Sequence, residues 1–247
     1  MDILYVLGSD SQWNDNEIRF SLRSLAKFGK NIGRVYIVGE RPYFINPKTV
    51  THIPGAHDIY PQAHKNILHK VLWAIKHSDI SRHFLISSDD HFYIKPVDFA
   101  RMPVYYREKD IPAVLDVKQT LSPYCRSLVE TREMLVKNGL TTYQTNPHCN
   151  THWDTDVYER NRKLFDEAMT LRHGGELNCI MGNLLIKDGR KPTLFHDSKL
   201  GHKVKNAQQF KERIANANCV SGVPDIEHTY LGQLLPQLFP DKCMYEK

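Results

Sequence analysis

The sequence lacks the features of a membrane-spanning or disulfide-linked protein. None of its apolar runs approaches the roughly 18 residues needed to cross a bilayer. Its 5 cysteines form an odd, widely spaced set with no C-x-x-C pair, which argues against a zinc site, a redox centre and a disulfide framework. The first predicted strand begins at Asp2 and leaves no room for a signal peptide. These absences predict a soluble cytoplasmic protein whose thiols are reduced.

Internal repeats and low-complexity linkers are also missing, so no change of composition marks a domain boundary. The 247 residues, of which 41% are hydrophobic and 25% charged, are enough to bury a core without cross-links. We therefore expect a single domain over residues 1–247. The formal charge of +5 is moderately basic, and the excess is densest in residues 190–213, which would either hold phosphate groups or form a solvated surface.

Hydrophobic periodicity in the first hundred residues alternates between strands and helices. Apolar runs predict strands within MDILYVLGS, RVYIVGE, VTHIPG and HFLISSDD. A first helix is bounded by a candidate N-cap at Asn14 or Asp15 and by Gly29 just past its end, and AHKNILHKVLWAIKHS predicts a second helix. This alternation predicts an α/β fold with a mostly parallel, Rossmann-like sheet flanked by helices.

The second half of the chain has a looser pattern. MPVYYREKDIPAVLDV predicts one or two strands, and CIMGNLLIKDG has mixed character. Three further segments predict helices, the last interrupted by Pro236: SLVETREMLVKNG, TDVYERNRKLFDEAMTLR and HTYLGQLLPQLFP. We expect these elements to form an α+β lobe added to the first sheet.

Two adjacent acids, Asp89 and Asp90, end the predicted strand in RHFLISSDDHFYIKP. Side chains alternate between the faces of a strand, so two neighbouring carboxylates cannot both face a core. Ligands of open α/β sheets bind at the carboxyl ends of strands, and paired carboxylates suit Mg²⁺ or Mn²⁺ bound to a diphosphate. A simple turn or cap is the alternative interpretation.

Several segments of the first hundred residues resemble glycosyltransferases of the GT-A fold, and more narrowly the Stealth-like group of sugar and sugar-phosphate transferases. The resemblance is carried, in order, by DILYVLGSDSQW, DNEIRFSLRSLAKFGKNIGRVYIVGERP, AHDIYP and HFLISSDDHFYIKPVDF. Later, NTHWDTDVYERNRKLFDEAM and LFPDKCMYEK are similar to pieces of small, often phage-encoded members. The resemblance implies a nucleotide-sugar-binding half over residues 1–100 and an acceptor-side half over residues 101–247.

The resemblance also implies a Mn²⁺ or Mg²⁺ site at the acids after the fourth strand. Ser88, Asp89 and Asp90 match the Asp-any-Asp metal motif, although Ser88 stands where the motif has its first acid. Asp90 would then be the direct metal ligand, and Asp89 would contact the ribose, the donor sugar or the metal. In the same comparison, His196 or Asp197 would complete the metal sphere.

Further residues are implied to bind the nucleotide sugar. The residues after the first strand would contact the base and ribose of the nucleotide. The basic residues would contact the diphosphate, and an ordinary charged surface is the alternative for Arg19, Arg23 and Lys199. The implied donor-binding residues are Ser9, Asp10, Arg19, Arg23, Lys65, Asn66, Lys70, Asp89 and Lys199.

Titratable side chains in the second half are candidates for acceptor chemistry. His152 and Asp154 flank Trp153, and either would serve as general base for an acceptor hydroxyl, whereas a helix N-cap is the alternative for Asp154. Glu176 follows a glycine pair and resembles a donor-sugar contact of GT-A enzymes, with a plain turn as the alternative.

The leading hypothesis is a metal-assisted glycosyltransferase, located in a bacterial cytoplasm or, if phage-encoded, in that of the host. Its acceptor would be a bacterial surface glycan or a hydroxymethylated DNA base. The alternatives are transfer of a sugar 1-phosphate, as in Stealth-type enzymes, and a non-catalytic module that binds nucleotides or nucleic acid.

Overall fold

Strands and helices alternate through the first hundred residues of the computed structural model, which describes residues 1–9, 11–116, 119, 122–196 and 198–247. In chain order its strands are β1 (Asp2–Leu7), β2 (Gly29–Lys30), β3 (Val35–Gly39), β4 (Val50–Ile53), β5 (His83–Ser87), β6 (His91–Tyr93), β7 (Val97–Asp98), β8 (Val104–Tyr106), β9 (Thr151–Asp154), β10 (Pro192–Leu194) and β11 (Cys219–Ser221). Its helices are α1 (Asn16–Phe28), α2 (Ala63–His77), α3 (Pro123–Lys137), α4 (Thr155–Arg160), α5 (Arg162–Thr170), α6 (Leu177–Lys187), α7 (Ala207–Ile214) and α8 (Tyr230–Leu238).

The central sheet contains five strands in the order β4-β3-β1-β5-β9. Its first four strands in the chain run parallel, and β9 pairs antiparallel with β5 at one edge. The chain moves outward from β1 through β3 to β4 and then returns to place β5 on the other side of β1. This confirms the predicted mostly parallel α/β sheet and makes the carboxyl ends of β1 and β5 a topological switch point.

Alternating side chains of the strands divide the core between two faces of the sheet. Leu4, Tyr36 and Phe84 pack on one face with residues of α2 and α6. Ile3 and Ile37 pack on the other face with the apolar stripe of α1. Helices therefore cover both faces, as a buried parallel sheet requires, and leave the two ends of the strands as the places where polar loops collect.

The second half differs from its prediction in several elements. The segment expected to be one helix is divided at Asn161 into α4 and α5, and the segment of mixed character is the helix α6. The prediction of one or two strands after residue 101 agrees with the single strand β8, and residues 107–116 contain no strand. Across the described part of the chain, no helix combines the length and apolarity needed to cross a membrane.

Candidate active site

A tight turn presents the two acids that follow β5. The His91 N–H donates to the Ser88 carbonyl oxygen at 3.4 Å, so Asp89 and Asp90 occupy the central positions of a four-residue turn. Helix α1 supports the turn from behind, because the Ser21 hydroxyl donates to the His91 carbonyl oxygen at 2.7 Å. Neither acid lies on a strand, which explains how two adjacent carboxylates both avoid the core.

The second wall of the site is the loop between β1 and α1. The Ser11 hydroxyl donates to Glu17 Oε2 at 2.9 Å and accepts from the Asp15 N–H at 2.8 Å. Asn14 and Asp15 both have positive φ angles, 53° and 58°, which cost non-glycine residues about 1 kcal/mol or more each. This conformation turns the chain sharply into α1. Asp15 occupies the predicted N-cap position, but its side chain makes no capping hydrogen bond.

A cleft of about 350 Å³ lies between these two loops, at the switch point of the sheet. A third wall comes from the loop after β11, since β11 pairs antiparallel with β6 and places Ser221 opposite His91. Four carboxylates and one lysine ammonium group are among the described residues that line the cleft. The lining residues that carry charge are Asp15, Glu17, Asp89, Asp90 and Lys199. The described lining is therefore strongly negative and favours cations.

The electrostatic environment of Asp89 reflects this excess of acids. Burial, followed by the negative charges of Asp90 and Glu17, raises the pKa of Asp89 to about 7. A bound cation would relieve this repulsion and favour the ionised carboxylate.

His91 is a neutral support for the turn. It is only 6% exposed, and burial lowers its pKa to about 4, so the ring is uncharged at neutral pH. Its Nδ1 accepts the Ser88 N–H at 3.4 Å, which leaves the proton on Nε2, 3.9 Å from Asp90 Oδ1. That separation is too long for a hydrogen bond, so the ring and the Asp90 carboxylate interact only through space.

The donor set fits a divalent cation shared with a ligand. Within the residues that the structure describes, no group of three or more His, Cys, Asp or Glu side chains forms a ready metal cage. Mg²⁺ is usually held by one or two carboxylates together with substrate phosphates and waters, and carboxylates also suit Mn²⁺. Asp89 and Asp90 provide two such carboxylates at one turn. Ser88, in the first motif position, supplies its backbone N–H to His91.

Lys199 is the predicted phosphate ligand that does line the cleft. A parallel bridge joins it to Ser221, and the Leu200 N–H donates to the Ser221 carbonyl oxygen at 2.8 Å. These contacts fix the segment beside the acidic turn. His196 lies nearby in the chain with an exposed side chain and is not among the cleft residues, and Asp197 lies outside the described residues.

The loop after β1 and helix α1 hold four other predicted donor-binding residues. Ser9 lies between Gly8 and Ser11, which both line the cleft, whereas Asp10 lies outside the described residues. Arg19 and Arg23 contact the C-terminal segment instead of the cleft. Arg23 makes two hydrogen bonds to the Glu246 carboxylate, at 2.6 and 2.9 Å, and Arg19 donates to the Tyr43 hydroxyl.

Helix α2 places its predicted donor-binding residues behind the cleft. Asn66 closes the preceding loop by accepting the N–H groups of Ile59 and Tyr60. Lys70 is 3% exposed, donates to the Leu7 carbonyl oxygen at 2.8 Å and pairs with Asp58 at 2.6 Å. Both side chains are thus committed to holding loops, which corrects the expectation that they contact the ligand directly. Lys65 lies against the loop at Gly174.

Asp154 and His152 lie away from the acidic turn, contrary to the hypothesis that they act as general bases in the same site. Asp154 is paired with His83, the first residue of β5, so it lies roughly 20 Å from Asp89 along the strand. It caps α4 by accepting the N–H groups of Asp156 and Val157. The alternative interpretation of Asp154 as a helix cap is confirmed.

The remaining predicted catalytic groups also have structural partners. His152 Nε2 lies 2.8 Å from the Met102 carbonyl oxygen, and burial lowers the pKa of the ring. Glu176 is 4% exposed and caps α6 by accepting the Cys179 N–H at 2.8 Å. It is not among the residues that line the cleft.

Two cleft acids, Asp15 and Glu17, were absent from the predicted site. Acids at the start of a helix are common because they complement the helix dipole, so neither residue stood out as a ligand-binding group. The available signal was their position directly after the loop that follows β1.

No protein-family model and no curated protein matches this chain. Among solved structures, 94 chains are similar, and one of them is an active-site mutant of LgtC. That structure aligns with a TM-score of 0.47 and 8% sequence identity, over 96% of this chain and 95% of its own. LgtC is a GT-A glycosyltransferase. A likeness of this extent carries no argument about activity, so any functional conclusion must rest on the cleft.

Proposed function

We propose that the protein transfers a glycosyl group from a nucleotide-diphosphate sugar to an acceptor hydroxyl. The observation that carries the proposal is the acidic cleft at the switch point between β1 and β5, with Asp89 and Asp90 on a rigid turn and Lys199 facing them. Its volume of about 350 Å³ falls at the lower end of the range for small-molecule sites.

The charge of the cleft determines how a diphosphate would bind. Four described carboxylates would repel a nucleoside diphosphate, and Lys199 alone cannot offset them. Asp90, with Asp89 beside it, would hold Mn²⁺ or Mg²⁺, and the cation would stabilise the negative charge of the leaving diphosphate. Lys199 would contact a phosphate oxygen, and His91 would support the turn that carries both acids through its contacts with Ser88. Donor binding should therefore require the cation.

A glycan is the acceptor that the charge distribution favours over DNA. A duplex site would need the basic residues of 190–213 on one continuous surface. Arg190 and Lys191 instead line a pocket beside Asp154, at the amino end of the sheet, whereas Lys199 lines the cleft at the carboxyl end. The basic segment thus crosses the molecule from one end of the sheet to the other and does not form a single patch.

Calorimetry with nucleotide sugars, with and without Mn²⁺, tests the proposal. We expect saturable binding of one donor only with the cation, and we expect Asp90→Asn to weaken that binding about 100-fold because a metal ligand contributes several kcal/mol. Asp156→Asn is the matched control, since Asp156 is an exposed acid that pairs with Arg82 at the amino end of the sheet. Equal, cation-independent binding by the wild type and the Asp90 variant would remove Asp90 from the site.

Product analysis separates sugar transfer from sugar-phosphate transfer. Glycosyl transfer breaks the bond between the anomeric carbon and the diphosphate and releases a nucleoside diphosphate. Transfer of a sugar 1-phosphate breaks the diphosphate itself and releases a nucleoside monophosphate. Release of the monophosphate would overturn the proposed reaction while leaving the cation site intact.

A further inference from the structure

Glu17 is a buried acid on the wall of the cleft. It lies in the first turn of α1, lines the cleft and is 8% exposed. The Ser11 hydroxyl donates to its Oε2 atom at 2.9 Å, but no described residue donates to Oε1 or forms an ion pair with the carboxylate. The helix dipole offsets part of the charge. A buried carboxylate is nevertheless costly without further hydrogen bonds, so Oε1 is left as an acceptor for a ligand or water.

The position of Glu17 is fixed relative to the acidic turn. Helix α1 carries Glu17 at its start and, about one turn later, Ser21, whose hydroxyl donates to the His91 carbonyl oxygen at 2.7 Å. The hydrogen bond from Ser11 holds the carboxylate in one orientation. Its negative charge helps to raise the pKa of Asp89, which lines the same cleft. A ligand bound at the acidic turn therefore lies close to the charge of Glu17.

Asp15 adds a second acid to the same wall. It lines the cleft, its φ angle is 58°, and its side chain does not cap α1. No described residue donates a hydrogen bond to its carboxylate or forms an ion pair with it. Arg19, the first cation of α1, directs its guanidinium group to Asn16 Oδ1 at 2.8 Å and to the Tyr43 hydroxyl at 2.7 Å. The start of α1 therefore presents two carboxylates to the cleft without a paired cation among the described residues.

The charge of the cleft stays negative when a donor binds. Four carboxylates and the Lys199 ammonium group are the charged groups of the described lining. A divalent cation together with Lys199 supplies fewer positive charges than the carboxylates and the diphosphate together supply negative ones. A neutral sugar brings hydroxyl groups that can donate to Glu17 Oε1, whereas a uronic acid brings another negative charge. Like charges a few ångströms apart in such a site weaken binding by about 10-fold or more.

We propose that Glu17 excludes donors whose sugar carries a carboxylate, so that the protein uses a nucleotide-diphosphate sugar in which the sugar is neutral or an amino sugar. The inference rests on the proposed function, because it concerns the sugar of the donor. The free oxygen of Glu17 accepts a hydroxyl or ammonium group of such a sugar, since both are hydrogen-bond donors. A sugar carboxylate supplies no donor and meets Glu17 as a like charge. The selectivity thus belongs to one side chain and is separable from cation binding at the acidic turn.

Matched pairs of donors test the selectivity. UDP-glucose and UDP-glucuronate differ only at the last carbon of the sugar, as do GDP-mannose and GDP-mannuronate, so each pair shares its nucleotide. In calorimetry with Mn²⁺ we expect the neutral member of the binding pair to bind about 10-fold tighter or more. Equal binding of the two members would overturn the inference and leave the proposed function standing. Absence of cation-dependent binding by all of these donors would instead contradict the proposed function, on which the inference rests.

Three substitutions assign the selectivity to Glu17. Glu17→Gln keeps an oxygen that accepts from Ser11 but removes the charge, and it should lower the preference for the neutral donor by about 10-fold. Glu17→Asp keeps the charge and should retain the preference. Glu159→Gln removes a charge from an exposed acid of α4 that pairs with Arg162, and it should leave the preference unchanged. An unchanged preference in Glu17→Gln, or an equal loss in Glu159→Gln, would show that Glu17 does not select the donor.

Discussion

Asp89 comes just after β5 and Asp154 is the last residue of β9 in the same sheet, yet their surroundings are opposite. Asp154 accepts two helix N–H groups and lies beside Arg82 and His83, so its charge is offset by the fold. Asp89 lies beside Asp90 and near Glu17, and its pKa is raised to about 7 by burial and by those charges. A carboxylate whose charge is offset stabilises the fold, whereas one surrounded by other acids is repelled by them when it ionises.

The largest expected effect comes from removing the charge of Asp89. Asp89→Asn should lower glycosyl transfer by about 100-fold or more, because a cation site of several kcal/mol loses a carboxylate. It should not lower the free energy of unfolding. The folded-state pKa is raised above that of the unfolded chain, so wild-type stability falls as pH rises from about 4 to about 7, and the substitution removes that loss.

Urea denaturation in the presence of a chelator checks the second half of this prediction. The variant should equal or exceed the wild type at pH 8 and lose this advantage at pH 4. A large loss of stability at pH 8 would contradict this prediction and show that Asp89, like Asp154, stabilises the fold.

Replacing Asp154 should have the reverse outcome. Asp154→Ala should lower the free energy of unfolding by about 2 kcal/mol, since it removes a helix cap and leaves the neighbouring donors unpaired. Turnover below the melting temperature should stay close to that of the wild type. Asp156→Ala, which removes an exposed partner of Arg82, should cost less than about 1 kcal/mol. A 100-fold loss of turnover with unchanged stability would restore Asp154 as a catalytic candidate.

The smallest expected effect concerns Glu246, the third carboxylate in this comparison, which pairs with arginine side chains. Burial alone would raise its pKa, but the hydrogen bonds from Arg23 and from the Cys243 N–H, together with the positive charges of Arg23 and Arg19, outweigh burial and lower the pKa. A carboxylate with a lowered pKa in the folded state stabilises the fold at pH values above the pKa of the unfolded chain. This stabilisation is lost as the pH falls through the pKa of the folded state. Glu246→Gln should therefore cost about 1 kcal/mol at pH 7 and nothing well below pH 4. Thermal unfolding across pH measures this, with Glu159→Gln as an exposed control.

The sheet of the first half could be predicted because its periodic signals are strong and local. The strands β1, β3, β4 and β5 are apolar runs between turn residues, and the stripe Ile18, Leu22 and Leu25 marks α1. The second half was less predictable because β8, β9 and β11 have only three or four residues each. Such short strands are held by pairing with distant segments, which no local pattern records.

The candidate site was predictable where it coincided with the end of a predicted strand, at Asp89 and Asp90, and where the resemblance implied a phosphate ligand, at Lys199. Asp89, Asp90 and Lys199 line the cleft, as the sequence led us to expect of ligand-binding residues. The general-base hypothesis for Asp154 was wrong about position, because the antiparallel direction of β9 carries that residue to the other end of the sheet. Sequence spacing gives neither the direction of an edge strand nor the end of the sheet at which its last residue lies.

The late arrival of β9 has a consequence for synthesis on the ribosome. Four parallel strands are complete by Ser87, but β5 gains its outer partner only when Thr151–Asp154 is made. Roughly 60 residues separate the two strands, which corresponds to several seconds at typical rates of translation. During that interval the backbone of β5 presents an open edge to other chains, a recognised route to aggregation. We therefore expect the nascent first half to be the form of this protein most exposed to edge-to-edge association at β5, until β9 pairs there.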